Sequence, residues 1–260
     1  MRCAVVGHVE WVEFARVPWM PSPGEIVHAE RVWEEPAGGG AVVARQLALL
    51  AGRCELFTAL GDDALGRDSA TRLAGLGIDV HVKWGGTTRR AWTHVDGAGE
   101  RTITVLGDKL LPAGPLPLDG YDLVFFVAGE PEALQSARRA QFVATTAREL
   151  PTLTQADIEL DLLVASANDP GERYDGSLRV RHIVSTDGVN GGTLDGSPYT
   201  ASPADRIVDT YGAGDSFAAT LAFALARGDD PRSATELAAR AGAAVIGGAG
   251  PYESQLAFRA

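Results

Sequence analysis

Short apolar runs alternate with stretches of helical spacing along most of this chain, and that alternation restricts the fold more than any other feature. Cys3–Val6 reads as a buried strand stopping at Gly7, and Leu123–Val127 is continuously apolar. Phe142–Thr145, Leu162–Ala165 and His182–Ser185 repeat the theme. Interleaved with these strands, Ala41–Ala51, Ala64–Leu76, Glu132–Arg139, Ala213–Arg227 and Arg232–Ile246 are spaced as helices. Gly77 is placed to cap one, and Pro231 to begin another. Strands that are apolar throughout are buried on both faces, and helical crossovers make neighbours parallel. The expectation is an α/β fold with a mainly parallel, doubly wound sheet, whose ligands bind at the carboxyl ends of the strands.

Two segments break the alternation. Val9–Trp33 is rich in aromatic and β-branched residues and is interrupted by Pro18, Pro21, Pro23 and Gly24, which predicts two exposed strands around a proline-rich turn. Glu55–Ala59 and Asp79–Lys83 are further strands; Ala91–Val95 and Thr102–Leu106 alternate around a turn at Asp96-Gly97. Glycine stretches at 38–40, 188–192 and 212–214 each follow a strand, so they can meet at one sheet edge.

The chemistry concentrates in Asp209-Thr-Tyr-Gly-Ala-Gly-Asp-Ser-Phe217. Gly212 and Gly214 permit a tight turn at the start of a long apolar helix. The amides of Ala213, Gly214 and Asp215 would be free donors there, where the helix dipole also favours an anion. Asp215 can take a proton from a hydroxyl, or merely cap the helix. An anion cradle beside a base is what phosphoryl transfer to an alcohol requires.

Composition removes other classes. A net charge of -11 argues against nucleic-acid and polybasic membrane surfaces, so no nucleic-acid or membrane partner is expected. The same field repels an anionic substrate, so any nucleotide site must work through local donors and a metal ion. Cys3 and Cys54 form neither a disulfide framework nor a zinc spacing, and the five histidines show no ligand pattern. The N-terminal apolar run is too short for a signal peptide, and nothing approaches the roughly 18 apolar residues of a membrane helix, which makes a cytoplasmic protein the default. There is no G-x-x-x-x-G-K-[ST] loop and no protein-kinase H-R-D or D-F-G segment.

The residues resemble the ribokinase-like sugar kinases, the PfkB family. Asp209-Thr-Tyr-Gly-Ala-Gly-Asp215 is similar to that family's C-terminal signature, and Gly38-Gly39 to its N-terminal one. Gly61-Asp62-Asp63-Ala-Leu-Gly66 with Gly77-Ile78-Asp79, the segment Gly99–Ile103, and Thr186-Asp187-Gly188-Val189-Asn190-Gly191 match further family pieces in the family's order. The resemblance implies one three-layer α/β/α domain over 1–260, with a small β lid from about 9–33 and 84–106. It implies transfer of the γ-phosphate of ATP to a hydroxyl of a small sugar or a nucleoside. Asp215 would be the base, and the backbone of Gly212, Ala213 and Gly214 the anion hole. Gly38, Gly39, Glu10 and Trp11 would meet the acceptor, and Thr186, Gly188 and Gly191 the ATP. Asn168 and Glu172 would hold magnesium (Mg2+) through water, and a monovalent cation is a further possible cofactor. Relatives pair through their lids, which implies a homodimer.

The chain departs from the family at two polar positions, which fall at Val12 and Val43. They motivate an alternative, a sugar- or nucleotide-binding protein without turnover; the retained Gly212, Gly214 and Asp215 oppose it. Asp209 is read either as a loop organiser or as a group near metal and phosphate. Trp92 and Arg101 are open between lid packing and substrate contact. His8 is read as a structural histidine, and Arg89-Arg90 as a solvated pair.

Overall fold

The computed structural model describes residues 1–174 and 176–258. The first half runs β1 (Cys3–Val6), β2 (Glu10–Arg16), β3 (Arg31–Ala37), α1 (Gly39–Ala51), β4 (Cys54–Leu60), α2 (Ala64–Gly75), β5 (Ile78–Trp84), β6 (Arg90–Val95) and β7 (Arg101–Leu106). The second half runs β8 (Leu123–Phe126), α3 (Pro131–Ala137), β9 (Phe142–Thr146), α4 (Leu150–Ala156), β10 (Leu160–Ser166), β11 (Val180–Thr186), β12 (Gly192–Leu194), β13 (Ser197–Tyr199), α5 (Ala213–Arg227) and α6 (Pro231–Val245). Nine strands form one sheet in the order β13-β12-β11-β10-β9-β8-β1-β4-β5, and four form a second in the order β3-β2-β6-β7. The seven strands from β11 to β5 in that order are mutually parallel; β12 runs against them and pairs antiparallel with β11 and β13.

Alternation along β1 shows why both faces are covered. Cys3 and Val5 enter the core beneath α1, α5 and α6, whereas Ala4 and Val6 enter the one beneath α3 and α4. Successive side chains on a strand point to opposite faces, so a strand with apolar residues at every position requires helices on each. This is the expected three-layer, doubly wound fold. No helix among the described residues is long and apolar enough to cross a membrane.

Several boundaries differ from the sequence reading. The lid strand β2 is buried rather than exposed, with Val12 and Phe14 both at 0% exposure. Phe14 stacks on Trp33 at 4.8 Å and meets Tyr211 edge-on at 5.2 Å, so the lid is packed onto the body through an apolar cluster. β3 extends past Trp33 to Ala37, and Trp84 belongs to β5 of the large sheet. The bend between β6 and β7 is wider than a two-residue turn, because Asp96 N donates to Glu100 O and Asp96 Oδ1 accepts from Ala98 and Glu100. Helix α4 and the β12–β13 hairpin are additional.

Candidate active site

The turn before α5 is built by a buried carboxylate. Asp209, 1% exposed, accepts from Tyr211 N at 2.8 Å and from Gly250 N at 2.9 Å. Burial raises its pKa despite these bonds. Of its two readings, the structure shows the loop-organising one. Gly212 then adopts φ 82°, a left-handed conformation that disfavours a side chain. Ser216 N donates back to Gly212 O at 2.9 Å, and Ala213 N reaches Thr210 O at 3.4 Å. The amides of Gly214 and Asp215 have no acceptor among the described residues. Two free donors at the mouth of a 15-residue helix make an anion seat, one amide fewer than the sequence suggests. Tyr211, unremarked in the sequence, ties this turn to the first glycine bend: its hydroxyl accepts from Gly38 N at 3.2 Å.

Asp215 faces that bend. A Cβ on Gly39 would lie 3.2 Å from Asp215 Oδ1 and 2.9 Å from Val127 Cγ1, so only glycine lets α1 approach this closely. Gly40 serves packing instead: a Cβ there would meet His8 O at 2.5 Å and Gly7 C at 2.8 Å. Burial pushes the Asp215 carboxyl up from 3.8 to about 6, Arg101 and Arg148 pull it down, and Glu172 and Glu10 push it up. A carboxylate whose pKa approaches neutrality is a stronger base than a solvated one. Arg101 Nη1 donates to Thr210 O at 3.1 Å, and Gly99 O accepts from Thr210 N at 2.9 Å, so the lid hairpin rests on the anion turn.

Glu10 stands beside the same bend, its Cγ 3.3 Å from a Cβ built on Gly38. Its carboxylate lies 3.2 Å from Arg89 Nε, with the side chains 8% and 15% exposed. Arg89 is therefore not a solvated residue, although Arg90 pairs with Glu13 on the outer face. The G-D-D-x-x-G segment explains the placement. Asp63 caps α2 through Gly66 N at 2.8 Å and accepts from Thr88 N and Oγ1, both at 2.7 Å, fixing the residue before Arg89. Burial raises the Asp63 pKa, but these bonds outweigh it and hold it below 3.8.

Trp11 is not brought to this cluster. It alternates to the other face of β2, where its Nε1 donates to Glu34 at 3.1 Å and the Arg72 guanidinium lies 4.7 Å over its ring. Trp92 is likewise engaged within the lid, its Nε1 donating to His94 Nε2 at 3.2 Å. Val43 lies in the main core, whereas Val42 packs toward Gly212 with its Cγ1 3.1 Å from a Cβ built there. The apolar side chain of α1 that faces the turn is Val42, joined by Val12 and Tyr211, while Val43, where the family has its polar residue, is turned into the core.

On the other side, Asn168 Nδ2 donates to Asp187 Oδ1 at 3.0 Å, linking the 168–172 segment to the glycine loop after β11. Glu172 Oε1 meets Arg148 at 2.8 Å, and Arg148 also pairs with Asp169. Thr186 Oγ1 donates to Ala165 O at 3.3 Å, and Gly188 and Gly191 have φ 53° and 89°. No hydrogen bond or ion pair among the described residues joins this loop to the 212–214 turn. It connects through Tyr199, which covers Gly192 and stacks on Phe217 of α5 at 5.6 Å. As a magnesium site the donor set fits through water: Glu172 Oε2 has no hydrogen-bond partner among the described residues and Glu172 acts electrostatically on Asp215, while its other oxygen is held by Arg148.

The fold recurs in proteins of known structure. A ribokinase from Thermotoga maritima superposes with a TM-score of 0.78 at 22% identity, over 99% of this chain and 96% of that one. A Burkholderia thailandensis nucleoside kinase in complex with inosine gives 0.78 at 19% identity, over 98% and 94%. The bifunctional protein HldE of Azotobacter vinelandii is 29% identical over 87% of this chain, which spans 55% of that protein's length. The family model for pfkB family carbohydrate kinases matches residues 2–111 and 118–257. The chain belongs to the pfkB family of carbohydrate kinases.

Proposed function

We propose that this kinase moves the γ-phosphate of ATP to a hydroxyl of a small sugar or nucleoside, with Asp215 as general base. The supporting observation is the placement of the Asp215 carboxylate against Gly39 while the amides of Gly214 and its own residue stand free. As the acceptor oxygen bonds to the γ-phosphorus, its proton passes to Asp215 and the bond to the β–γ bridging oxygen breaks, releasing ADP. The free amides and the α5 dipole stabilise the charge on the transferring group, which is where most of the rate of such reactions originates. Arg101 has no carboxylate partner among the described residues and is the largest charge acting to lower the Asp215 pKa, which suits it to the same oxygens. Glu172 and Asn168 would hold magnesium through water, and the ion would neutralise phosphate charge there. Thr186, Gly188 and Gly191 line the loop for ATP, and the chain works as one domain.

ADP release with a panel of sugars and nucleosides tests this reading. Turnover should vanish in Asp215→Ala with folding preserved; persisting turnover overturns the role of Asp215. A homodimer through the lid is part of the proposal, because every residue of β7 is exposed and Ile103, Val105 and Leu106 are each at least 40% so. A monomer by light scattering at micromolar concentration overturns that part.

A further inference from the structure

A single buried amide joins the starts of the two helices that frame the site. Gln255, 8% exposed, lies in the segment after α6, and its Nε2 donates to Val42 O and to Ser216 Oγ, each at 3.1 Å. Val42 belongs to the first turn of α1, directly after the Gly38-Gly39 bend, and Ser216 follows Asp215 in the first turn of α5. A primary amide nitrogen carries two hydrogens, and both are used here. Val42 O can only accept, which fixes the amide with its nitrogen inward. The other amide atom, Gln255 Oε1, is buried without a hydrogen-bond partner among the described residues. An unsatisfied buried carbonyl is costly, so packing alone would favour an apolar side chain at this position. The two bonds of the nitrogen offset that cost.

The segment that carries Gln255 is itself anchored. Gly250 N donates to Asp209 at 2.9 Å, Tyr252 Oη to Pro36 O at 2.7 Å and Ser254 Oγ to Val245 O at 2.9 Å, and Leu256 O accepts from Gln46 Nε2 at 2.8 Å. Gln255 therefore holds both helix starts against a fixed support. Deeper in the molecule α1 and α5 share the main apolar core, with Ala44 and Leu47 from the first and Ala218 and Leu221 from the second. Apolar burial is non-directional, so it sets how closely two helices pack more firmly than how far one slides along the other. That offset matters at the mouth, where Asp215 Oδ1 lies 3.2 Å from a Cβ built on Gly39 and the free amides of Gly214 and Asp215 begin α5. A misplacement of about 1 Å in such a site can lose on the order of a hundredfold in rate. We infer that Gln255 is a positioning residue for phosphoryl transfer: acting through Ser216 and Val42, it sets the first turn of α5, and with it Asp215 and the two free amides, against the Gly38-Gly39 bend. The inference rests on the phosphotransfer reading, and its test separates the two.

The full chain is compared with three variants. Gln255→Met keeps the length and loses both donors, and Ser216→Ala removes one of the two acceptors. Gln46→Met unpins the same C-terminal segment but leaves both helix starts bonded. Kinetics are read by ADP release over a panel of sugars and nucleosides, and stability by urea unfolding. The anion seat is read by calorimetric binding of ADP alone and of ADP with aluminium fluoride, a mimic of the transferring group. Gln255→Met should lower kcat about tenfold or more with each KM within about twofold, and should weaken the aluminium fluoride complex about tenfold while leaving ADP alone unchanged. Ser216→Ala should lower kcat by less, and the double variant should fall no further than Gln255→Met. Gln46→Met should lose comparable stability with kcat unchanged. Equal loss of kcat in Gln255→Met and Gln46→Met overturns the inference, because it reports loosening of the C-terminal segment rather than alignment. Unchanged kcat and analogue binding in Gln255→Met overturn it as well. Should Gln255→Met fail to fold, Ser216→Ala decides: a fall in kcat and in analogue binding at constant KM supports the inference, and wild-type values overturn it. A wild-type chain that releases no ADP with any acceptor removes the kinase reading instead. Analogue binding then decides the role of Gln255 by itself: selective weakening in Gln255→Met supports it, and the lack of it overturns it.

Discussion

Replacing Asp215 by asparagine should abolish turnover while making the protein more stable at neutral and alkaline pH. The carboxyl rises from 3.8 to about 6 on folding, chiefly through burial. That interval corresponds to ~3 kcal/mol against the ionised form. The sign follows from proton linkage. Between the two values the folded chain keeps a proton that the unfolded chain has lost, so stability present below pH 3.8 is lost as pH rises through about 6. Asparagine is isosteric and does not ionise, so it escapes the loss. Urea unfolding at pH 8 should show a gain of roughly 1–3 kcal/mol, and about half of it at pH 5, where part of the linkage is already expressed. In the wild type, kcat/KM should fall on the acid side with a midpoint near 6, because the base must be ionised to act. Equal or lower stability of Asp215→Asn at pH 8, or an acid limb centred below pH 5, would refute the reasoning.

Arg101→Ala should move that acid limb to higher pH, since Arg101 is the largest charge holding the Asp215 pKa down, and should lower kcat by tenfold or more, read from the pH–rate profile. Gly40→Ala drives a methyl group against the backbone at His8 and Gly7 and should cost about 1–3 kcal/mol in denaturant unfolding. Asp63→Ala removes the α2 cap and both bonds to Thr88, and should cost about 1–3 kcal/mol.

Helix α5 was legible to the residue: its bounds, Ala213–Arg227, coincide with the reading from its apolar spacing after Gly212. The parallel strands were equally clear, because burial on both faces writes itself as an unbroken apolar run. The β12–β13 hairpin was not, since three-residue strands among glycines are too short to carry a period. Glu10 and Trp11 both follow the first strand, and alternation says only that they face opposite ways; which one faces the cleft depends on how the lid is set on the body. Val42 and Val43 posed the same problem on a helix, where one position is a rotation of about 100°. His8, Arg89 and Tyr211 act through partners far along the chain, and nothing local announces that Tyr211 will bond Gly38 N.

The hydrogen bonds between the lid hairpin and Thr210 tie the lid mechanically to the turn before α5. Were the cover to swing away during turnover, it would tug on the loop proposed to grip the migrating group, so an open form would be not merely unshielded but also poorly tuned for chemistry. Nucleotide left waiting without its co-substrate would then be spared wasteful hydrolysis, because competence and closure arrive together.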